Sequence, residues 1–214
     1  MASNIYFISD THFFHRRILE YCGRVPGSRG TVWDTVEAMN EGLRERWNKK
    51  VPKTATVYML GDVAFGKDKS AVINFLYTLN GTKHLIYGNH DKLIRSNEKD
   101  FLRVFETIQE YKEVNVCKQK ICLFHYAPRV WNGAHRGYWC LWGHSHGVLE
   151  PHGKSVDVGI DSPWVTGKQE LAPFSFEEIQ TFMYGREKIE HHGDKEECSV
   201  CRRCHGPEIR HACE

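Results

Sequence analysis

The sequence predicts an α/β fold in which helices cover a sheet built from the first half of the chain. Three observations carry that prediction. Short apolar runs of strand length alternate with helix-period segments up to about residue 90. Beyond that point the strand-like runs continue while the helical period largely disappears. Clusters of Asp, Asn and His stand at the ends of the apolar runs.

The run "NIYFIS" is short, apolar and bounded by polar residues, so it reads as a buried strand, and it leads straight into Asp10-Thr11-His12. A loop rich in Gly and Arg, "CGRVPGSRG", follows. From about Asp34 to Asn48, Val36, Met39, Leu43 and Trp47 recur at helical spacing, giving a helix with one face for the sheet. "TATVYML" is the second strand and ends at Gly61-Asp62. A helix over about Asp68 to Leu79 carries Val72, Phe75, Leu76 and Leu79 on one stripe, and Asn80-Gly81 supplies its exit. "KHLIY" is the third strand and ends at Gly88-Asn89-His90-Asp91.

In the second half, "YKEVNVCKQKICLFH" reads as two strands joined by a polar turn at Lys118 to Lys120. "YWCLWGH" and "KSVDVGID" read as two more, forming a second sheet or a mixed extension of the first. "SFEEIQTFM" is a short helix in which Ser175 and Glu178 have capping-box spacing. Apolar patterning stops near Gly185. The expected organisation is therefore one body over residues 1–185 and a Cys/His-rich tail over 186–214.

Composition bounds the function. With 41% hydrophobic and 26% charged residues the chain is globular, and 214 residues supply one substantial core. A formal net charge of +2 provides no global case for nucleic-acid binding, although a local groove remains open. No stretch approaches a membrane span or a secretory leader, so the expected location is cytoplasmic. Of the 8 cysteines, Cys22, Cys117, Cys122 and Cys140 read as free thiols in the body.

The ends of the predicted strands present, in order, Asp10 and His12, Asp62, Asn89 and His90, His125, then His144 and His146. Residues beyond the carboxyl ends of neighbouring strands in an α/β sheet converge on one crevice. Carboxylate, imidazole and amide oxygen suit divalent transition metals, and a carboxylate can bridge two ions about 3.5–4 Å apart. Each residue alone has an ordinary structural explanation, as a turn cap or a packed histidine. The recurrence at successive strand ends is what points to metal chemistry.

The ordered blocks Asp10-Thr11-His12, Gly61-Asp62, Gly88-Asn89-His90-Asp91, His125 and Gly143-His144-Ser145-His146 resemble the calcineurin-like metallophosphoesterases. Asp157 to Asp161, "DVGID", resembles the strand and turn that follow the histidine pair there. The resemblance implies a four-layer β-sandwich flanked by helices and a dinuclear hydrolase of phosphate esters, with phosphodiesters favoured and a hydroxide bridging the metals. It implies that Asp10, His12 and His146 bind one ion, that Asn89, His125 and His144 bind the other, and that Asp62 bridges them. It further implies that His90 acts on the leaving oxygen, oriented by Asp91. The two ions would be drawn from Mn, Fe, Zn, Ni and Mg. Phosphomonoesterase or nucleotide phosphatase activity, and a nonenzymatic nucleic-acid or protein binding module on the same fold, are the alternatives.

Arg16, Arg129, Trp131 and Arg136 are candidate substrate contacts, because guanidinium groups pair with phosphate and indole stacks on bases. That combination invites a nucleotide or nucleic-acid substrate. The same stretch is similar to small bacterial and phage members of the family. In the tail, Cys198, Cys201, Cys204 and either His205 or Cys213 are candidate ligands of a separate structural zinc. An unstructured or disulfide-bearing tail and an iron–sulfur site compete with that reading.

Overall fold

The computed structural model describes residues 3–24 and 33–190. The first sheet has the order β4-β3-β2-β1-β9, with β1 (Ile5–Ile8), β2 (Thr56–Met59), β3 (Thr82–Ile86) and β4 (Phe105–Gln109) parallel, and β9 (Phe174–Ser175) antiparallel beside β1. The second has the order β5-β6-β7-β8. Here β5 (Lys112–Val116) and β6 (Gln119–Leu123) form the antiparallel pair, while β7 (Trp139–Trp142) and β8 (Ser155–Asp157) run parallel to β6.

The period of two along the strands explains how the sheets stack. Phe7, Leu60 and Ile86 of the first sheet meet Ile121, Leu123, Trp139, Leu141 and Val156 of the second in one buried cluster. The opposite face of the first sheet, with Ile8, Val57, Met59 and Leu85, packs under α2 (Val36–Lys50) and α3 (Lys69–Tyr77). These helices begin as their polar residues dictate: Thr35 accepts from the amide of Ala38, and Asp68 accepts from those of Ser70 and Ala71. The outer face of the second sheet, with Cys122, Cys140 and Trp142, is covered by the segment containing Trp131 and Ala134, whose only regular element is a 3-10 turn at Ala134–Arg136. The result is a β-sandwich with helices on one side and an irregular layer on the other.

The capping box at Ser175 and Glu178 opens α6 (Phe176–Met183). Besides the short strand β9 and the 3-10 turn at Ala134–Arg136, four elements go beyond the sequence reading. They are α1 (Ile18–Tyr21), α4 (Lys92–Ser96), α5 (Glu98–Phe101) and strand β4. The packed chain also continues past Gly185. Arg186 donates to the carbonyls of Gly153 and Pro151 at 2.6 and 2.8 Å, and Ile189 packs onto the outer cluster of the second sheet. The tail residues Cys198, Cys201, Cys204, His205 and Cys213 lie outside the described residues.

Candidate metal centre

The loops leaving β1, β2, β3, β6 and β7 meet at one edge of the sandwich. Their backbones are bent sharply: Asp10, His12, Asp62, His144 and His146 have φ of 57°, 48°, 54°, 68° and 50°. Left-handed geometry at a non-glycine residue costs on the order of 1 kcal/mol, and such strain gathers where side chains must be aimed. Close approach explains two of the neighbouring glycines. A Cβ at Gly88 would strike the Asp62 carboxylate, and one at Gly143 would strike the Ser9 hydroxyl and the Asp10 carboxylate.

The aimed side chains form two groups whose ligand atoms lie within 4.8 Å of one another: Asp10, His12 and His146, and Asp62, His125 and His144. His12 Nε2 and His146 Nε2 each stand 3.9 Å from Asp10 Oδ1. Asp62 faces both groups, with Oδ2 3.6 Å from His12 Nε2 and Oδ1 3.6 Å from His125 Nε2. Asn89 Oδ1 approaches His125 Nε2 at 3.0 Å. One carboxylate thus turns a different oxygen to each cluster, which is the geometry of a bridging ligand.

The same atoms are poorly served by the protein alone. Asp10 Oδ1 and both ring nitrogens of His12 are buried without a hydrogen-bond partner, an expensive condition that a cation would relieve. Burial drives the Asp10 carboxyl well above its ordinary range, and burial, followed by the charges of Arg24 and His146, drives His12 down to about 2. An electron-rich, dry, unsatisfied donor set of oxygen and imidazole fits a pair of divalent ions. His125 is already in the tautomer a metal needs: its Nδ1 donates to the Leu60 carbonyl at 2.7 Å, which leaves Nε2 facing the cluster.

A surrounding layer fixes these groups. Asp91 accepts from the amides of Asp62, Val63 and Gly88 at 2.8–3.0 Å, so it ties the loop after β2 to the loop after β3; its carboxylate is engaged by backbone and not by the His90 ring. Asp157 accepts from the Ser145 hydroxyl and the Gly147 amide, holding the loop that carries His144 and His146. Asp161 accepts from His146 Nδ1 at 2.8 Å and is gripped by Arg24 through two bonds of 2.6 and 2.8 Å. Arg24 is fully buried and also donates to the carbonyls of Asp10 and Thr11. The Cys22 thiol lies 3.2 Å from the same His146 nitrogen. Cys22, His146 and Asp161 form a third compact group. With Asp161 already paired to Arg24, that group serves to hold His146. Sequence patterning missed Arg24 and Cys22, because a Gly/Arg-rich loop offers no periodicity.

The predicted site residues outside the two groups separate on inspection. His90 is exposed; its amide donates to Asp62 Oδ1 at 2.9 Å and its ring lies 4.8 Å from Phe65 and 6.0 Å from His12, centroid to centroid. Phe65 also stacks on His15 at 3.8 Å. Arg16 and Arg129 are exposed on loops that adjoin the centre. Trp131 is 7% exposed and donates to the Tyr138 carbonyl, so it is a wall and not a free stacking platform. Arg136 lies beside His135 in the 3-10 turn, next to Gly137, whose carbonyl is bonded to Gln119 at the far end of β6 from His125.

Residues 3–197 match the calcineurin-like phosphoesterase family. The chain belongs to that family. A relative in Methanocaldococcus jannaschii, the uncharacterized protein MJ1445, is 32% identical over 165 residues, covering 73% of this chain and 81% of its own. The gene 66 protein of Mycobacterium phage L5 is 34% identical over 91 residues, 42% of this chain and 40% of its own. Among solved structures, the protein of unknown function AQ665 from Aquifex aeolicus superposes with a TM-score of 0.60 at 23% identity, over 83% of this chain and 97% of that one. As a calcineurin-like phosphoesterase with two ligand groups spaced for a dinuclear centre, the chain is a metal-dependent hydrolase of phosphate esters.

Proposed function

We propose that the chain is a phosphodiesterase working with two divalent ions such as manganese or zinc, in the cytoplasm. The observation that carries the two-ion reading is the division of Asp62 between the groups, one oxygen 3.6 Å from His12 and the other 3.6 Å from His125. Asp10, His12 and His146 hold the first ion; Asn89, His125 and His144 hold the second. When bound, the pair acidifies water and neutralises charge gathering on phosphoryl oxygens. The residues of the chain supply the rest: Asp62 fixes the spacing, and His90 stands at the open side, where an imidazole can give a proton to the departing oxygen. The diester preference rests on the resemblance to small members of the family and on the exposed residues that border the centre. Exposed His90 and the Phe65–His15 stack border it at one point and the exposed Tyr126 ring at another, offering contacts for the two substituents of a diester.

The test is a panel of divalent ions with chromogenic phosphodiesters and phosphomonoesters, using chelated protein as the baseline. Asp62→Ala in a folded protein is expected to abolish metal-dependent turnover and lower the bound metal below two per chain. Unchanged turnover in that variant rejects the assignment, and turnover of monoesters alone replaces the diesterase with a phosphatase.

A further inference from the structure

On the outer face of the second sheet, an apolar cleft of about 350 Å³ opens beside the centre, lined by Tyr111, Phe124, Pro128, Val130, Trp131 and Cys140. We infer that this cleft is a subsite for a nucleobase of the substrate, an assignment that rests on the phosphodiesterase reading for its relation to the reacting phosphate. Period two along β6 turns Phe124 outward, with Cys122, while the next residue, His125, reaches the metal-ligand cluster. Tyr126 forms the ridge between the two regions. Its ring centroid is 5.7 Å from Phe124 on one side, and 5.1 and 4.9 Å from His125 and His144 on the other. Tyr126 thus joins a wall of the cleft, Phe124, to two side chains of the centre, His125 and His144, through successive ring contacts.

The walls select the occupant. Tyr111 and Phe124, which are not buried, and Pro128 give flat faces, and base–aromatic stacking is favourable for every base because each has a π-face. Trp131 cannot rotate away, since its ring is buried and its Nε1 is bonded to the Tyr138 carbonyl at 2.8 Å; it is a fixed floor. At the mouth, Tyr111 Oη donates to Glu113 at 2.7 Å, and Glu113 also accepts from Asn132 Nδ2 at 3.0 and 3.1 Å. That fixed polar rim suits the hydrogen-bonding edge of a base, whereas an alkyl chain would leave it unused. Val130, 51% exposed, is the solvent side of the cleft.

The experiment measures equilibrium binding of thymidine 5′-phosphate and of methyl phosphate to the full chain with manganese present, for wild type, Val130→Trp and Phe124→Leu. The nucleotide is expected to bind about 10-fold more tightly or better in wild type. Val130→Trp fills the cleft from its solvent side, and the advantage is expected to shrink towards one. Equal binding of the two esters by wild type overturns the subsite, and so does an advantage that survives in Val130→Trp. Should Val130→Trp melt early, Phe124→Leu, which removes one ring face, must reduce the advantage for the subsite to stand. Turnover of the p-nitrophenyl diesters of methyl phosphate and thymidine 5′-phosphate is followed in parallel. Hydrolysis of neither, under any divalent ion, rejects the phosphodiesterase reading while the binding comparison still decides the subsite.

Discussion

His90 touches the centre through its backbone and leaves its ring free, an arrangement that separates holding from reacting. Its amide supports Asp62 Oδ1, a backbone bond that alanine at position 90 retains. His90→Ala is therefore expected to keep two metals per chain and to lose roughly 10²- to 10⁴-fold in turnover of an ester with a poor leaving group. Metal analysis alongside kinetics on good and poor leaving groups checks this; a loss equal for both would remove the proton-donor role. His146 makes a different prediction. Burial works against its imidazolium, but hydrogen bonds to Asp161 and Cys22 and the nearby charges of Asp10 and Asp161 outweigh it and hold its pKa at about 11 in the metal-free chain. A metal must displace that proton, so apparent affinity at the first site is expected to rise with pH near neutrality, with proton release on binding. Calorimetric titration in buffers of different ionisation enthalpy reads both quantities.

The elements deliver these residues because each strand ends in a bend that another loop locks. Arg24 is the clearest lock, joining the backbone after β1 to Asp161 after β8. Burial disfavours the Asp161 carboxylate, yet Arg24 and His146 outweigh that cost and hold its pKa below the usual range. A depressed folded pKa means that the resulting stability is complete above the ordinary carboxylate pKa, about 3.9, and is lost as pH falls below it. Arg24→Met leaves the Asp161 carboxylate buried without its guanidinium. It is expected to lower unfolding free energy by about 3–5 kcal/mol in urea titrations and to weaken metal binding by about 10- to 100-fold. The side chains gathered at the centre were legible from sequence because they follow apolar strands at Asp10, Asp62, Asn89, His125 and His144. Their supports were not, since Arg24 sits in a loop without periodicity and its partner lies 137 residues away. Strand β4 was hidden for a related reason. "FETIQ" carries only modest apolar character, and its place is set by pairing with β3 at the sheet edge.

For the molecule as a whole, the change of rhythm after residue 90 was compatible with a second sheet or a mixed extension of the first, and a separate second sheet forms; the end of the packed body was not readable. Residues 186–190 look like polar tail, but Arg186 finds two carbonyls and Ile189 an apolar surface that only the folded second sheet provides. A test of the proposed tail zinc must therefore cut after Glu190. That truncation is expected to retain the pair of active-site ions and to lose one further zinc per chain, measured by metal analysis under reducing conditions; equal zinc content in the two proteins excludes the tail site. The pairing of β9 with β1 bears on how the chain is made. Strand β1 emerges first, but its neighbour on one side, Phe174 and Ser175, lies near the far end of the sequence. Throughout synthesis of the intervening residues, β1 offers an unpaired row of amides and carbonyls next to the apolar side chains of Phe7 and Ile8. The ribosome-bound protein thus carries an open seam along that edge of β1 until Phe174 and Ser175 have been made and folded beside it.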